Sequence, residues 1–78
     1  MKAPARSRLS PKKLLQTKWT AVAPRRKEKH FVVTKVIEPL IDGAAVEFVE
    51  LEAVHSGRVQ RLAWRELTDA AVWRQGWA

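Results

Sequence analysis

Apolar and polar positions along most of this chain follow the short, β-branched pattern that is typical of strands. The clearest strand is KHFVVTKVIE (29–38), and prolines at 24 and 39 are expected to end strands because proline cannot donate to a ladder. Three further stretches have strand character: KWTAV (18–22), VEFVELEAV (46–54) and RVQRLAW (58–64). Turn residues lie between them, so the pattern predicts an antiparallel sheet of three or four strands.

The hairpin that joins the last two strands has a predictable register. With Ser56-Gly57 as a two-residue loop, His55 lies opposite Arg58. Three opposing pairs follow from this register: Leu51 with Leu62, Val49 with Trp64, and Glu52 with Arg61. One face of the hairpin is then apolar and the other carries an opposite-charge pair, which places Trp64 on the core side.

The residues before the first strand predict a helical turn. In SPKKLL (10–15), Ser10 suits the capping position. Pro11 suits the first helical position, where its missing N–H would be unpaired in any case. Residues 1–9 contain proline, serine and cations without periodicity, and we expect them to form a disordered basic tail.

The end of the chain predicts a short helix. Thr68 suits the N-cap and Asp69 the first turn, where the helix dipole favours an anion. One apolar stripe is spaced by threes: Leu67, Ala70 and Trp73. Gly76 suits the left-handed position past a helix end, and Trp77 would then fold back towards Val72.

The predicted fold class is therefore α+β, a small three- to four-stranded antiparallel sheet with an N-terminal helical turn and a short C-terminal helix. The 78 residues form at most one domain, assigned to residues 10–78. A chain of this length buries only about 60% of its unfolded surface, so its core is thin. The sequence has no cysteine but four tryptophans, and these large rings are expected to supply much of the missing burial.

Positive charge is concentrated in the first part of the chain. Residues 1–30 hold ten Lys and Arg residues against one acid, Glu28, while residues 31–78 hold five against seven. The chain as a whole carries a formal charge of +7 at pH 7. A basic arm on a nearly neutral body favours an anionic partner.

The tryptophans and their neighbours carry a family likeness. The stretches KLLQTKWTAV, EKHFVV, LEAV and WRELTDAAVWRQGW together span about residues 13–77. In these stretches the chain resembles the small tryptophan-rich bacterial proteins of unknown function. By this resemblance, signature positions are occupied by Trp19, Trp64, Trp73 and Trp77, with Lys18, His30, Phe31 and Arg65 in the same motifs. The resemblance implies bacterial residence and supplies no activity, cofactor or partner.

The sequence does not predict an enzyme. It has no cysteine nucleophile, its three glycines are isolated, and no serine lies in a nucleophile elbow. Two histidines at unrelated positions, His30 and His55, do not predict a metal site, and we expect no cofactor. The chain lacks a secretory signal and a long apolar run, so we expect cytoplasmic residence without membrane association.

The sequence predicts binding of nucleic acid, RNA in preference to duplex DNA, through the basic N-terminal third. The candidate contact residues are Lys12, Lys13, Lys18, Trp19, Arg25, Arg26, Lys27, Lys29 and His30. Cations attract phosphates through counterion release, and an exposed ring stacks on an unpaired base. Pairing of the first two strands is expected to gather five of these cations at one end of the sheet: Lys18, Arg25, Arg26, Lys27 and Lys29. For Trp19 itself, burial in the core is favoured over stacking.

Two alternatives stay open at this point. The chain is a protein interaction module in which Arg74 and Trp77 form an exposed anchor, since Trp and Arg dominate interface hot spots. Otherwise the basic arm is a solvated tail without an anionic partner. The sequence leaves the oligomeric state open.

Overall fold

The computed structural model describes residues 11–77. Ser10, the predicted tail at residues 1–9 and Ala78 lie outside the described residues. Seven elements follow one another in the described part: a 3₁₀ turn at Pro11–Leu14, strands β1 (Lys18–Arg25), β2 (Glu28–Val36), β3 (Phe48–Ala53) and β4 (Val59–Ala63), a second 3₁₀ turn at Trp64–Thr68, and strand β5 (Trp73–Gln75). No helix within residues 11–77 is long and apolar enough to cross a membrane.

The five strands form one antiparallel sheet in the order β4-β3-β2-β1-β5. The first four strands make a meander of neighbouring hairpins, which follows from the turn residues between them. The chain then crosses over through the second 3₁₀ turn and adds β5 to the outer edge of β1. The predicted antiparallel sheet is therefore present, with one strand more than expected.

The predicted α+β class with a C-terminal helix is wrong, because the described residues form mostly antiparallel sheet with two short 3₁₀ turns and no α-helix. The Asp69 side chain accepts from the Ala71 N–H at 3.0 Å and its carbonyl accepts from Val72 and Trp73, which makes a turn. The same short acceptor suits a helix cap and an Asx turn, so the sequence signal was ambiguous. A helix of this length is marginal in water, whereas Trp73–Gln75 satisfies the open edge of β1.

Strand β1 continues past Val22 to Arg25, although Pro24 was expected to end it. The pairing of β1 with β2 is irregular between Thr20 and Arg25. Proline lacks an N–H, and the irregularity absorbs that missing donor without ending the strand. The chain therefore reaches a hairpin tip at residues 25–28 instead of leaving the sheet.

The β3–β4 hairpin differs from its predicted register by two residues. Val49 lies opposite Leu62 and Glu50 opposite Arg61, so Arg61 does not face Glu52 and Trp64 does not face Val49. The loop holds four residues, 54–57, and Gly57 has a φ of +77° and donates to the Ala53 carbonyl. A shift of two residues preserves the side-chain faces, so Leu62 and Trp64 still point towards the core side.

One face of the sheet is packed and defines the core. Its cross-strand neighbours include Trp19 with Phe31 and Ala21 with Trp73, and the Phe31 and Trp73 rings meet edge to face at 5.1 Å. The buried core is formed by Leu14, Trp19, Phe31, Val33, Val49, Leu51, Ala53, Leu67 and Trp73. Trp64 is partly buried against this core and donates its Nε1–H to the Val46 carbonyl oxygen at 3.0 Å. We call this side the packed face and the opposite side the open face.

Candidate nucleic-acid interface

Trp77 lies on the open face of the sheet. Its indole is 45% exposed, and its Nε1–H donates to the Phe31 carbonyl oxygen at 3.1 Å. The hydrogen bond anchors one edge of the ring to β2 while much of its surface stays in contact with solvent. A ring held in this way presents an aromatic surface without the entropy cost of ordering a mobile side chain.

Basic and imidazole side chains surround this ring. The Lys18 Nζ lies 4.7 Å from the Trp77 ring centroid, and the His30 ring lies 5.6 Å away at an angle of 35°. Arg74 is exposed and pairs with Thr20, which pairs in turn with His30, so the three share a cross-strand row. We call Lys18, His30, Arg74 and Trp77 the Trp77 platform.

The turn at Gly76 places Trp77 over the sheet. Gly76 has a φ of +86°, which L residues rarely adopt, and its N–H donates to the Lys18 carbonyl oxygen at 2.7 Å. Its own carbonyl accepts from the Thr20 Oγ1 at 2.6 Å. The predicted left-handed conformation of Gly76 is therefore confirmed, but it follows a strand, and Trp77 does not form the expected Schellman contact.

A second basic surface lies at the tip of the β1–β2 hairpin. Arg26 and Lys27 both have positive φ, at 55° and 61°, which is the geometry of a type I′ turn normally made by Asn and Gly. Two long side chains in this conformation strain the backbone. We call Arg25, Arg26 and Lys27 the basic tip, and all three side chains are exposed.

A buried carboxylate holds the basic tip against the β3–β4 loop. Glu28 is only 5% exposed, and both its oxygens accept from Arg58, with the shortest contact 2.6 Å to Nη2. The Ser56 hydroxyl donates to the same carboxylate at 2.5 Å. The Arg58 hydrogen bonds, followed by that of Ser56, lower the pKa of Glu28 from 4.5 to about 2.

The structure separates the cations that were expected to gather at one end of the sheet. Lys18 pairs with Val32, whereas Arg25 pairs with Glu28 at the tip, so the two lie at opposite ends of β1. Lys12 and Lys13 are exposed in the 3₁₀ turn that precedes β1, again away from the tip. Lys18 and the tip cations therefore lie on separate surfaces, because an eight-residue strand spans roughly 25 Å. Lys12, Lys13 and Lys29 are exposed but belong to neither the Trp77 platform nor the basic tip.

Trp19 is the one predicted contact residue that the structure removes from the surface. It is 2% exposed, and its Nε1–H donates to the Thr17 Oγ1 at 2.9 Å. Its neighbour across the sheet is Phe31, so its ring lies on the packed face. The core assignment favoured for Trp19 holds, and this ring is not available to stack on a base.

Sequence reasoning missed the Glu28–Ser56–Arg58 cluster, because it assigned Ser56 to a two-residue turn. One signal was present: Glu28 is the single acid among the first thirty residues, which carry ten cations. The sequence analysis also assigned Lys18 and His30 to a nucleic-acid interface and Arg74 and Trp77 to an alternative protein interface. The structure brings these four residues together, and the left-handed glycine before Trp77 was the available signal.

A family model described as "Tryptophan-rich protein (DUF2389)" matches residues 17–78. No curated protein and no solved structure matches the chain.

Proposed function

The chain belongs to this tryptophan-rich family, and from its surface we propose that it is a non-catalytic protein that binds single-stranded nucleic acid, RNA in particular. The observation that carries the proposal is the half-exposed Trp77 ring with a lysine, an arginine and a histidine on the same face of the sheet. An aromatic ring fixed on a sheet and bordered by cations suits an unpaired base and its phosphates.

The proposed contacts divide between the ring and the cations. The Trp77 indole stacks on a base, a contact worth about 1–3 kcal/mol by alanine substitution in other proteins. Lys18 and Arg74 contact the flanking phosphates, because Lys18 lies against the ring and Arg74 lies on the same face of the sheet. The single strand then continues towards the basic tip, where Arg25, Arg26 and Lys27 add sequence-independent attraction.

Single strands are favoured over duplexes because of the shape of the platform. The exposed surface is a ring on a sheet, and base stacking on a ring requires bases that are not already stacked within a helix. Proteins that read the major groove insert a helix or a two-stranded ribbon into it. Within residues 11–77 the platform lies on a sheet, and no such element projects from it.

A salt series tests the proposal directly. We expect the protein to bind a fluorescently labelled oligouridylate, with log affinity falling linearly against log salt by about 0.7 for each phosphate contacted. A hairpin duplex of the same length should bind more weakly. Equal or tighter binding to the duplex, or affinity for the single strand that is independent of salt, would contradict the proposal.

Matched variants separate the platform from general charge. Lys18→Gln and Lys35→Gln remove the same charge from β1 and β2, but only Lys18 contacts the Trp77 ring. We expect Lys18→Gln and Trp77→Leu each to weaken binding by about tenfold or more, which corresponds to 1.4 kcal/mol. Lys35→Gln should weaken binding less, because it removes one charge that does not contact the ring. Equal losses of affinity for both lysine variants would show that RNA does not bind at the Trp77 platform.

The same exposed ring supports the second candidate function, a protein interaction module anchored by Arg74 and Trp77. The two side chains are exposed on one face, and this pair of residue types is enriched at interface hot spots. Nuclease treatment during affinity capture distinguishes the two functions. Affinity capture of the full chain should lose its partners after nuclease treatment if RNA is the ligand, whereas one dominant protein that survives treatment favours the interaction module.

A further inference from the structure

We infer that the protein associates head to tail with a second copy of itself, the loop between β2 and β3 of one copy docking into a basic groove of the next. The loop spans residues 37–47 and presents two aliphatic side chains between acids. The groove lies beside the basic tip and has an apolar floor with an arginine rim. The two surfaces are complementary in charge, and each has an apolar centre.

The loop presents two large apolar side chains largely to solvent. Leu40 is 102% exposed and Ile41 is 73% exposed, more than the other exposed aliphatic side chains of the described residues. The base of the loop is fixed, since Val46 is buried and its carbonyl accepts from the Trp64 indole. An internal turn is fixed too, because the Ala44 N–H donates to the Ile41 carbonyl oxygen. The loop thus holds two large apolar side chains outward, as an interface anchor does.

The chain segment that contains the loop is acidic, although Lys12 lines the same cleft as Glu38 and Asp42. Residues 36–57 contain five acids and no lysine or arginine, although the whole chain has a formal charge of +7. Three of these acids lie within the loop and are exposed: Glu38, Asp42 and Glu47. A partner for this loop therefore needs an apolar recess with a basic rim.

The groove beside the basic tip has those properties. Its volume is about 530 Å³, and its apolar lining includes small residues together with Phe31 and Trp73. Ala21, Ala23 and Ala71 leave room for a branched aliphatic side chain. The rim carries Arg25, Arg26 and Arg58, and of these Arg58 is partly neutralised by Glu28.

The two surfaces lie at opposite ends of the sheet. Strand β2 begins at Glu28, beside the groove, and ends at Val36, where the loop starts. Nine residues of extended strand separate them by roughly 30 Å, so the loop does not reach the groove of its own chain. Docking between copies is therefore heterologous, and it builds concentration-dependent chains unless the rotation closes a ring.

Sedimentation velocity of the full chain over a concentration series tests the inference, with nuclease-treated protein so that RNA does not bridge copies. We expect the average mass to rise with concentration and the rise to diminish with salt, because charges flank both surfaces. The loop variant Leu40→Ser with Ile41→Ser should weaken association by about tenfold or more. Leu15→Ser, which changes another exposed leucine, is its control.

The groove variant is Ala71→Glu, which places a carboxylate on the floor and leaves every arginine in place. Its control is Ala70→Glu, an exposed neighbour that does not line this groove. We expect Ala71→Glu to be monomeric and Ala70→Glu to associate like the parent chain. Circular dichroism of each variant should show a folded protein, since both alanines are exposed.

Mixing the two defective variants provides the decisive result. One retains an intact groove and the other an intact loop. At a concentration at which each variant alone is monomeric, we expect the mixture to form a 1:1 dimer that does not grow further. A parent chain that stays monomeric over the whole series overturns the inference. So does association that persists in both variants, or a mixture that remains monomeric.

Discussion

The two faces of the sheet use tryptophan in opposite ways. On the packed face, Trp19 is 2% exposed and packs with Phe31 and Trp73, and no cation within residues 11–77 lies against its ring. On the open face, Trp77 is 45% exposed and lies against Lys18 and His30. Both indole N–H groups donate a hydrogen bond, so the two rings differ in their exposure and their neighbours and not in hydrogen bonding.

From this difference we expect the tryptophans of the packed face to determine stability and Trp77 to determine the proposed binding. A thin core gains most from rings that are removed from water on all sides. A ring that keeps a face in water contributes less to folding and retains its surface for a ligand. Substitutions on the packed face should mainly lower the free energy of unfolding, whereas substitutions on the open face should mainly lower the affinity for RNA.

The largest expected effect is the loss of a packed ring. Trp19→Ala should lower the free energy of unfolding by about 3–5 kcal/mol, because it leaves a cavity in a small core. Trp77→Ala should lower it by a smaller amount, because only about half of that ring is removed from water. Chemical denaturation of both variants measures the difference, and equal losses would break the distinction between the faces.

The Glu28 cluster should make stability depend on acid. The pKa of Glu28 in the folded chain is about 2, below its ordinary 4.5, so the carboxylate stabilises the fold above that ordinary value. This stabilisation should disappear as the pH falls from about 4.5 to about 2. Glu28→Gln should therefore be less stable than the parent at neutral pH, by less than the Trp19→Ala loss, and the gap should close in acid.

Denaturation across this pH range, with Glu47→Gln as control, measures the closing gap. Glu47 is an exposed acid of the β2–β3 loop, so its variant removes the same charge without breaking the cluster. A gap between the parent and Glu28→Gln that stays constant into strong acid would show that the carboxylate does not act through its charge.

The turn before Trp77 should affect binding more than stability. Gly76→Ala forces a side chain into a φ of +86°, at a cost of about 1–2 kcal/mol, although nothing lies within 4 Å of the added Cβ. The strain should shift Trp77 off the platform and weaken oligouridylate binding. Unchanged affinity in a folded variant would mean that the position of Trp77 does not matter.

The smallest effect is expected at the basic tip. Replacing Arg26 by Asn and Lys27 by Gly supplies residues that prefer positive φ at both positions. Stability should rise by about 0.5–1 kcal/mol, and RNA affinity should fall with a shallower salt dependence, because two cations are lost. Thermal unfolding and the salt series measure the two changes, and a drop in stability would argue against strain in this turn.

Much of the sheet was predictable from local pattern, and its ends were not. Strands β2, β3 and β4 follow from β-branched residues and turn signals within their own segments. Strand β5 pairs with β1 from more than fifty residues away, and nothing in Trp73–Gln75 distinguishes a strand from a short helix. The predicted capping residue Asp69 forms a turn instead of a helix cap. The pairing of β5 with β1 therefore determined that Trp73–Gln75 is a strand.

The candidate site was predictable residue by residue but not as an arrangement. Lys18, His30, Arg74 and Trp77 were each identified, the first two as nucleic-acid contacts and the last two as a protein anchor. Their meeting depends on β5 pairing with β1, which no local signal indicated. The burial of Trp19 followed from the demand of a small core for large rings, which is a property of the whole chain.

The most direct test of the Trp77 platform is to follow the four indole N–H signals by NMR during titration with oligouridylate. Single Trp→Phe variants assign the signals. The account predicts that the Trp77 signal shifts first and furthest, while the signal of buried Trp19, bonded to Thr17, stays nearly constant. A Trp77 signal that does not move while the RNA binds would contradict it.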